Sequence, residues 1–249
     1  MKKKRNVYSV KVTNLSKKYK NGKDFKKTVF NNLNMNFEKG KIHCILGMSG
    51  SGKSTLLRII AGLEDYDGGN VTFSNDLSKR EDIYLSMVLQ ENNLLPWFNV
   101  YENIKFALEA SKKEEIKEEF IDNVLKEHNL FEYKKFYPHE LSVGLKQKVS
   151  LAKAIVTNPK IVLLDEPFCA LDFISKENIH KIFLDKFSRE QFTSILSTHY
   201  IEEAVKLGDY IHVLGKDDTY KKIENPLVKP RTNDKKYYEF LDFIKNEYV

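Results

Sequence analysis

Cysteine is nearly absent. The only two, Cys44 and Cys169, lie far apart and without the spacing of a metal site. They read as small buried side chains of a protein in a reducing compartment, not as a disulfide framework. No apolar run approaches the roughly 18–20 residues that span a bilayer. The basic start Met1-Lys2-Lys3-Lys4-Arg5 is not followed by an apolar secretory stretch, because Val7, Val10 and Val12 are separated by polar residues. The expectation is a chain that stays in the cytosol. Internal repeats and long linkers are also missing, and there is a single tryptophan, Trp97.

What is present suits one α/β domain with room for a subdomain: 249 residues, 41% hydrophobic and 31% charged. The formal charge of +6 invites a nucleic-acid reading. Yet the excess lies in the N-terminal run, in Lys17–Lys27 and in Lys229–Lys236, while Lys112–Glu119 mixes both signs. Such runs are ordinarily solvated surface, so no nucleic-acid partner is expected.

Alternation predicts strands at Val7–Asn14, Val29–Phe37, Lys41–Leu46, Asn70–Phe73 and Ile83–Leu89, with turns at Lys39-Gly40 and Gly68-Gly69. From Val100 to Val156 the period becomes helical. Ile116, Phe120, Ile121, Val124 and Leu125 fall on one face, and Leu145, Val149, Ala152 and Val156 on another. Ile161–Leu164 reads as a short strand buried on both faces, Ser194–Ser197 and Tyr210–Leu214 as two more short strands, and Ile201–Leu207 as a helix. Tyr237, Phe240, Leu241 and Ile244 predict a docked C-terminal helix.

The run Gly47-Met48-Ser49-Gly50-Ser51-Gly52-Lys53-Ser54-Thr55 fits G-x-x-x-x-G-K-[ST]. It follows the strand Ile42–Leu46 and precedes Leu56, Ile59, Ile60 and Leu63 at helical spacing. Strand, glycine loop and helix in that order wrap a phosphate with backbone N–H groups at a helix N-terminus. Lys53 is placed to reach the β/γ-phosphates and the Ser54 hydroxyl to ligate Mg²⁺. The pattern reads as a nucleoside-triphosphate site. Asp165-Glu166-Pro167 closes the apolar strand Ile161–Leu164. Such an ATPase needs a carboxylate near the metal, here Asp165, and Glu166 is placed to orient or deprotonate the attacking water.

Leu141-Ser142-Val143-Gly144-Leu145-Lys146-Gln147-Lys148-Val149 resembles the L-S-G-G-Q or L-S-G-G-M-R-Q-R-V signature of ATP-binding-cassette (ABC) ATPases. Gln90 resembles the Q-loop glutamine, Ala170-Leu171-Asp172 the D-loop, and Ser197-Thr198-His199 the switch-histidine motif. Tyr19 resembles the aromatic that stacks on adenine. The resemblance covers about residues 7–215. It implies a P-loop NTPase core with an antiparallel β subdomain and an inserted helical subdomain, about 98–156; beyond it, the helical spacing from Tyr237 to Ile244 gives a helical tail over about 216–249. It also implies ATP and Mg²⁺ as ligands, with Ser54, Gln90 and Asp165 at the metal. Glu166, His199 and Lys53 would be catalytic, and His199 would hydrogen-bond the γ-phosphate. Ser142, Val143, Gly144 and Asp172 would face ATP held by a second copy of the chain, closing a head-to-tail dimer.

Three positions depart from the pattern. Val143 replaces the first signature glycine, Lys146 and Lys148 replace arginines, and Tyr200 follows His199 where aspartate is usual. The segment Gln90-Glu91-Asn92-Asn93-Leu94-Leu95-Pro96-Trp97-Phe98-Asn99-Val100 is similar to one in importers for nitrate, sulfonates, taurine and thiamine precursors. Asp165-Glu166-Pro167-Phe168-Cys169-Ala170-Leu171-Asp172 resembles their D-E-P-F-G-A-L-D. That implies a subunit on the inner face of the membrane. Leu94–Phe98 would then receive a permease helix, and a substrate-binding protein would act indirectly. An ordinary core role for Trp97 stays open. So do an ABC exporter or lipoprotein-release ATPase, and a soluble ABC remodelling factor.

Overall fold

The computed structural model describes residues 8–21, 25–74, 84–91, 93–111, 117–169, 171–215, 219–231 and 234–248. The expectations at Val7, Ile83, Ile116 and Ala170, and the basic run 1–5, lie outside the described residues. The strands are β1 Tyr8–Asn21, β2 Phe25–Glu38, β3 Ile42–Gly47, β4 Gly68–Phe73, β5 Leu85–Val88, β6 Ile161–Asp165, β7 Thr193–Thr198, β8 Tyr210–Leu214 and β9 Tyr220–Glu224. The helices are α1 Lys53–Ala61, α2 Val100–Ala110, α3 Glu118–Glu127, α4 Val143–Ile155, α5 Phe173–Glu190, α6 Ile201–Leu207 and α7 Lys235–Tyr248. The chain forms two compact units, one of residues 1–85 and 193–249, the other of 86–192.

The first unit carries two sheets. In one, β1 lies between β2 and β4 and pairs antiparallel with both. Val10, Val12, Leu15, Phe30, Met35 and Phe37 are buried along it. In the other, β7, β3, β8 and β9 are neighbours in that order. β3 is parallel to β7 and β8, and β9 returns antiparallel on β8. All six residues of β3 and all six of β7 are buried, as expected of parallel strands. The loop leaving β3 therefore starts from a fully buried strand end.

Helix α1 buries Leu56, Leu57, Ile59 and Ile60, each worth about 1.5–3 kcal/mol against exposure. It stops at Gly62, whose φ of 75° lies in the left-handed region. The Gly62 and Leu63 N–H groups close on Ile59 O and Arg58 O at 3.0 and 2.9 Å. Leu63 thus falls beyond the helix and is 65% exposed, which corrects its placement on the buried face.

The second unit holds β6, β5 from Ser86 onward beside it, and most of the helices. Its core joins Val100, Ile104 and Leu108 of α2, Ile121, Val124 and Leu125 of α3, and Val149 and Ala152 of α4. Phe120, assigned to that face by its period, is exposed, because the face is already filled by Ile121, Val124 and Leu125. Helix α2 starts with a reciprocal cap: Glu102 N–H donates to Asn99 Oδ1 and Asn99 N–H to Glu102 Oε2, both at 2.9 Å. Cys44 is buried as expected, whereas Cys169 is only half-buried.

Candidate nucleotide-binding site

Gly47 to Gly52 leave β3 and turn into α1. No side chain fits at Gly47, where a Cβ would lie 2.5 Å from Ser51 Oγ and 2.7 Å from Leu214 O. Gly52 caps α1 with φ 97°, and a Cβ there would strike Phe30 and Val29 at 2.7 Å. Gly47 therefore requires glycine for space, and Gly52 for both space and backbone conformation. No side chain caps the α1 N-terminus and no acidic residue sits in its first turn. Its leading N–H groups and positive dipole end therefore suit an anion.

Lys53 is 4% exposed, and its Nζ donates to Gly47 O at 2.7 Å and Met48 O at 3.1 Å. The ammonium is thereby held over the loop's own carbonyls, inside the ring that the glycines open. Ser51 Oγ is buried with no hydrogen-bond partner among the described residues. A buried hydroxyl of this kind costs about 1–3 kcal/mol, a cost that a phosphate oxygen would relieve. Met48, Ser49 and Gly50 are exposed, while Ser54 and Thr55 are half-buried.

The structure brings Tyr19 to this helix. Its phenol donates to Glu64, and the Thr55 hydroxyl lies 3.2 Å from the same oxygen. Lys17 sits 4.8 Å over the Tyr19 ring and bridges to Glu64 at 3.1 Å. One ring face therefore carries an ammonium, and the ring is 39% exposed. Nothing in the sequence pattern points to Glu64; its role depends on β1 lying beside the end of α1. His199, exposed at the end of β7, also belongs to this unit.

The second unit holds the remaining candidates. Asp165 is fully buried as the last residue of β6. Glu166 follows at φ 45°, a left-handed conformation that costs a non-glycine residue about 1–2 kcal/mol. Gln90 is exposed just past β5. Ser142 caps α4 by accepting the Leu145 N–H at 3.3 Å, and Asp172 caps α5 by accepting the Ser175 N–H at 3.0 Å. Hydrogen bonds from Ser175 hold the exposed Asp172 carboxyl below its ordinary range. A Cβ on Gly144 would meet Leu171 at 3.0 Å, so the signature segment and the D-loop lie against each other. Val143 is 53% exposed, pointing its branched side chain outward.

Ser54, Gln90 and Asp165 offer only oxygen donors. That chemistry fits magnesium, which takes few protein ligands and completes its shell with phosphate and water. Near Trp97, a residue missed by motif reading organises the loop. Asn103, fully buried, accepts the Leu95 N–H at 2.9 Å and donates to Leu95 O, Phe98 O and Asn99 O at 3.2, 2.9 and 3.1 Å. The loop it pins leaves Trp97 65% exposed, which removes the core role for that side chain.

Comparison with known proteins gives the family. The family described as ABC transporter matches residues 30–169. The nitrate import ATP-binding protein of a Synechocystis species is 39% identical, covering 74% of this chain and 70% of that protein. The aliphatic sulfonates import ATP-binding protein of a Bacillus cereus strain is 33% identical, covering 85% and 84%. Among solved structures, a dimeric ATP-binding cassette in a post-hydrolysis state with ADP and Pi superposes with TM-score 0.78. It is 30% identical, and the match covers 88% of this chain and all of that one. The chain belongs to the ABC transporter family and is an ATP-hydrolysing cassette that uses ATP and Mg²⁺.

Proposed function

We propose that the chain powers uptake of a small anionic solute of the nitrate or sulfonate class, by closing on ATP as a head-to-tail pair and opening after hydrolysis. The observation that carries the nucleotide part is the Lys53 ammonium folded into the Gly47–Gly52 loop beside an uncapped helix N-terminus. Gly47, Met48, Ser49, Gly50, Ser51, Gly52, Lys53, Ser54 and Thr55 bind the phosphates, and the Tyr19 ring takes the base. Ser54, Gln90 and Asp165 hold Mg²⁺, which neutralises charge developing on the phosphates. Glu166 accepts a proton from the attacking water, and His199 hydrogen-bonds the γ-phosphate. Ser142, Val143, Gly144 and Asp172 face the nucleotide gripped by the other copy.

The membrane side of the reading rests on Leu94–Phe98. Trp97 and Phe98 rings lie 6.3 Å apart and Phe98 and Phe106 rings 5.8 Å, forming an aromatic row with Trp97 and Phe106 exposed. A permease helix docked there would bury them. No described helix is long and apolar enough to cross a membrane. In this reading the chain is one ATP-binding domain on the inner face of the membrane, with 98–156 as its helical subdomain and a substrate-binding protein delivering the solute outside.

The test uses two substitutions. Lys53→Ala is expected to lose MgATP binding. Glu166→Gln is expected to bind MgATP normally, lose turnover and accumulate as an ATP-held dimer in sedimentation. Turnover equal to wild type in Glu166→Gln would contradict the base assignment, and a monomer under trapped ATP would contradict the paired mechanism.

A further inference from the structure

His199 lies in the two-residue junction between β7 and α6, and the residue on each side of it is held from within the first unit. The Thr198 hydroxyl, 1% exposed, donates to Glu203 Oε2 at 2.7 Å and accepts the Tyr200 N–H at 3.0 Å. Glu203, 4% exposed, sits on α6, so the strand end and the helix start are clasped around one side chain. The Tyr200 ring lies against the imidazole, with centroids 4.1 Å apart and planes inclined by 37°.

The helix behind the clasp is itself anchored. A seven-residue helix has little stability alone. Asn225 Nδ2 donates to Val205 O at 2.8 Å and Gly208 O at 3.0 Å, and Arg231 Nη1 to Lys206 O at 2.9 Å. The C-terminal segment thus secures the far end of α6 and, through Glu203, the position of Thr198. A buried carboxylate that accepts a hydroxyl proton, where the hydroxyl in turn accepts a backbone N–H, keeps one backbone geometry at the histidine.

We infer that Thr198, Glu203 and Tyr200 are positioning residues for His199. The clasp fixes the backbone on both sides of it, and the tyrosine ring, at the position where aspartate is usual, restricts the imidazole to one orientation. None of the three touches nucleotide in this scheme; each acts through His199. The inference rests on the reading of His199 as the γ-phosphate contact. Misplacement of a reacting group by about 1 Å can cost on the order of a hundredfold in rate. Loosening one element of the clasp should cost about tenfold in kcat, with MgATP binding intact.

The experiment compares steady-state ATP hydrolysis of the full chain with that of Thr198→Val, Thr198→Ser, Tyr200→Ala, Tyr200→Phe and His199→Ala. Valine preserves the shape of Thr198 and removes the hydroxyl; serine restores it. The expected result is a roughly tenfold fall in kcat for Thr198→Val and Tyr200→Ala, with KM for MgATP within about twofold. Thr198→Ser and Tyr200→Phe should recover most of the loss. Wild-type turnover in Thr198→Val and Tyr200→Ala, with His199→Ala inactive, would overturn the positioning role alone. A parallel rise in KM, or no recovery in the serine and phenylalanine variants, would also overturn it, because a general disturbance would then explain the loss. Full turnover in His199→Ala would instead refute the underlying assignment of the histidine. Tyr200 is partly exposed, so its variants report even if Thr198→Val folds poorly.

Discussion

Acidification to pH 4.5 should weaken the first unit through two buried histidines outside the nucleotide site. His43 of β3 and His212 of β8 are both fully buried. His43 Nδ1 lies 2.9 Å from His212 Nε2, His43 Nε2 3.0 Å from Glu38 O, and His212 Nδ1 2.9 Å from the Tyr220 hydroxyl. Glu38 O can only accept, so His43 Nε2 carries its proton and Nδ1 accepts from His212 Nε2–H. His212 Nδ1 then accepts from Tyr220. The chain is complete with both rings neutral, and an added proton on His43 would force His212 into its other tautomer, with Nδ1–H turned to the Tyr220 oxygen.

Burial, reinforced by the Lys222 charge and opposed by the Glu38 carbonyl and carboxylate and by Asp209, lowers His43 to about 4. Burial, His43 and Lys222 push His212 well below its ordinary value. The unfolded chain titrates near 6.5, so between 6.5 and about 4 it binds protons that the folded chain refuses. Stability is therefore full above 6.5 and falls with pH at about 1.4 kcal/mol per unit for each histidine. For His43 the whole window amounts to about 3 kcal/mol, a large fraction of a domain's ~5–15 kcal/mol. Glu38 does not confuse this window. Its burial favours the neutral form, yet hydrogen bonds from Lys222 and Tyr210 outweigh it and keep the carboxyl below its ordinary range. His128, lowered by burial to about 4, belongs to the second unit. Peptide-resolved hydrogen exchange on β3 and β8, corrected for intrinsic exchange, separates the two. The double variant His43→Gln/His212→Gln should lose most of the pH slope. A flat wild-type profile between pH 7 and 4.5, or an unchanged slope in the variant, would refute the argument.

Trp97→Ala should change stability by less than about 0.5 kcal/mol, as for an exposed side chain, while uncoupling transport from ATP hydrolysis in the assembled transporter; loss of ATPase with transport coupling intact would favour another role. Val143→Gly should raise turnover if the exposed branched side chain crowds the partner surface, and unchanged kinetics would dismiss crowding. Gly69→Ala should destabilise the β1–β4 pairing by about 2 kcal/mol or more, because φ is 89° and a Cβ would lie 2.3 Å from Asn14 O. Urea unfolding checks it, and a midpoint equal to wild type would contradict the contact.

Much of the site was legible because its constraints are local. The glycines of the phosphate loop, the strand before it and the helix after it each impose a backbone requirement within a few residues. α6 and β8 emerged with the limits that their periodicity predicts. The long β1 and β2 did not, because register shifts within their pairing break the alternation between Tyr8 and Lys18. β9 escaped notice for a related reason: Tyr220-Lys221-Lys222-Ile223-Glu224 has little apolar pattern and becomes a strand by adding to β8.

By itself, the sequence determined the ATPase chemistry, the order of its motifs and the family, because these depend on residue type at short spacing. Only the folded chain decided that Asn103 pins the tryptophan loop, that Glu64 holds Tyr19, that Glu203 clasps the turn at His199, and that His43 meets His212. Each of these is a polar group whose partner comes from another element or the far side of a turn. Once the pair is taken out of water, its hydrogen bond is worth making, and no periodicity records which partner that will be.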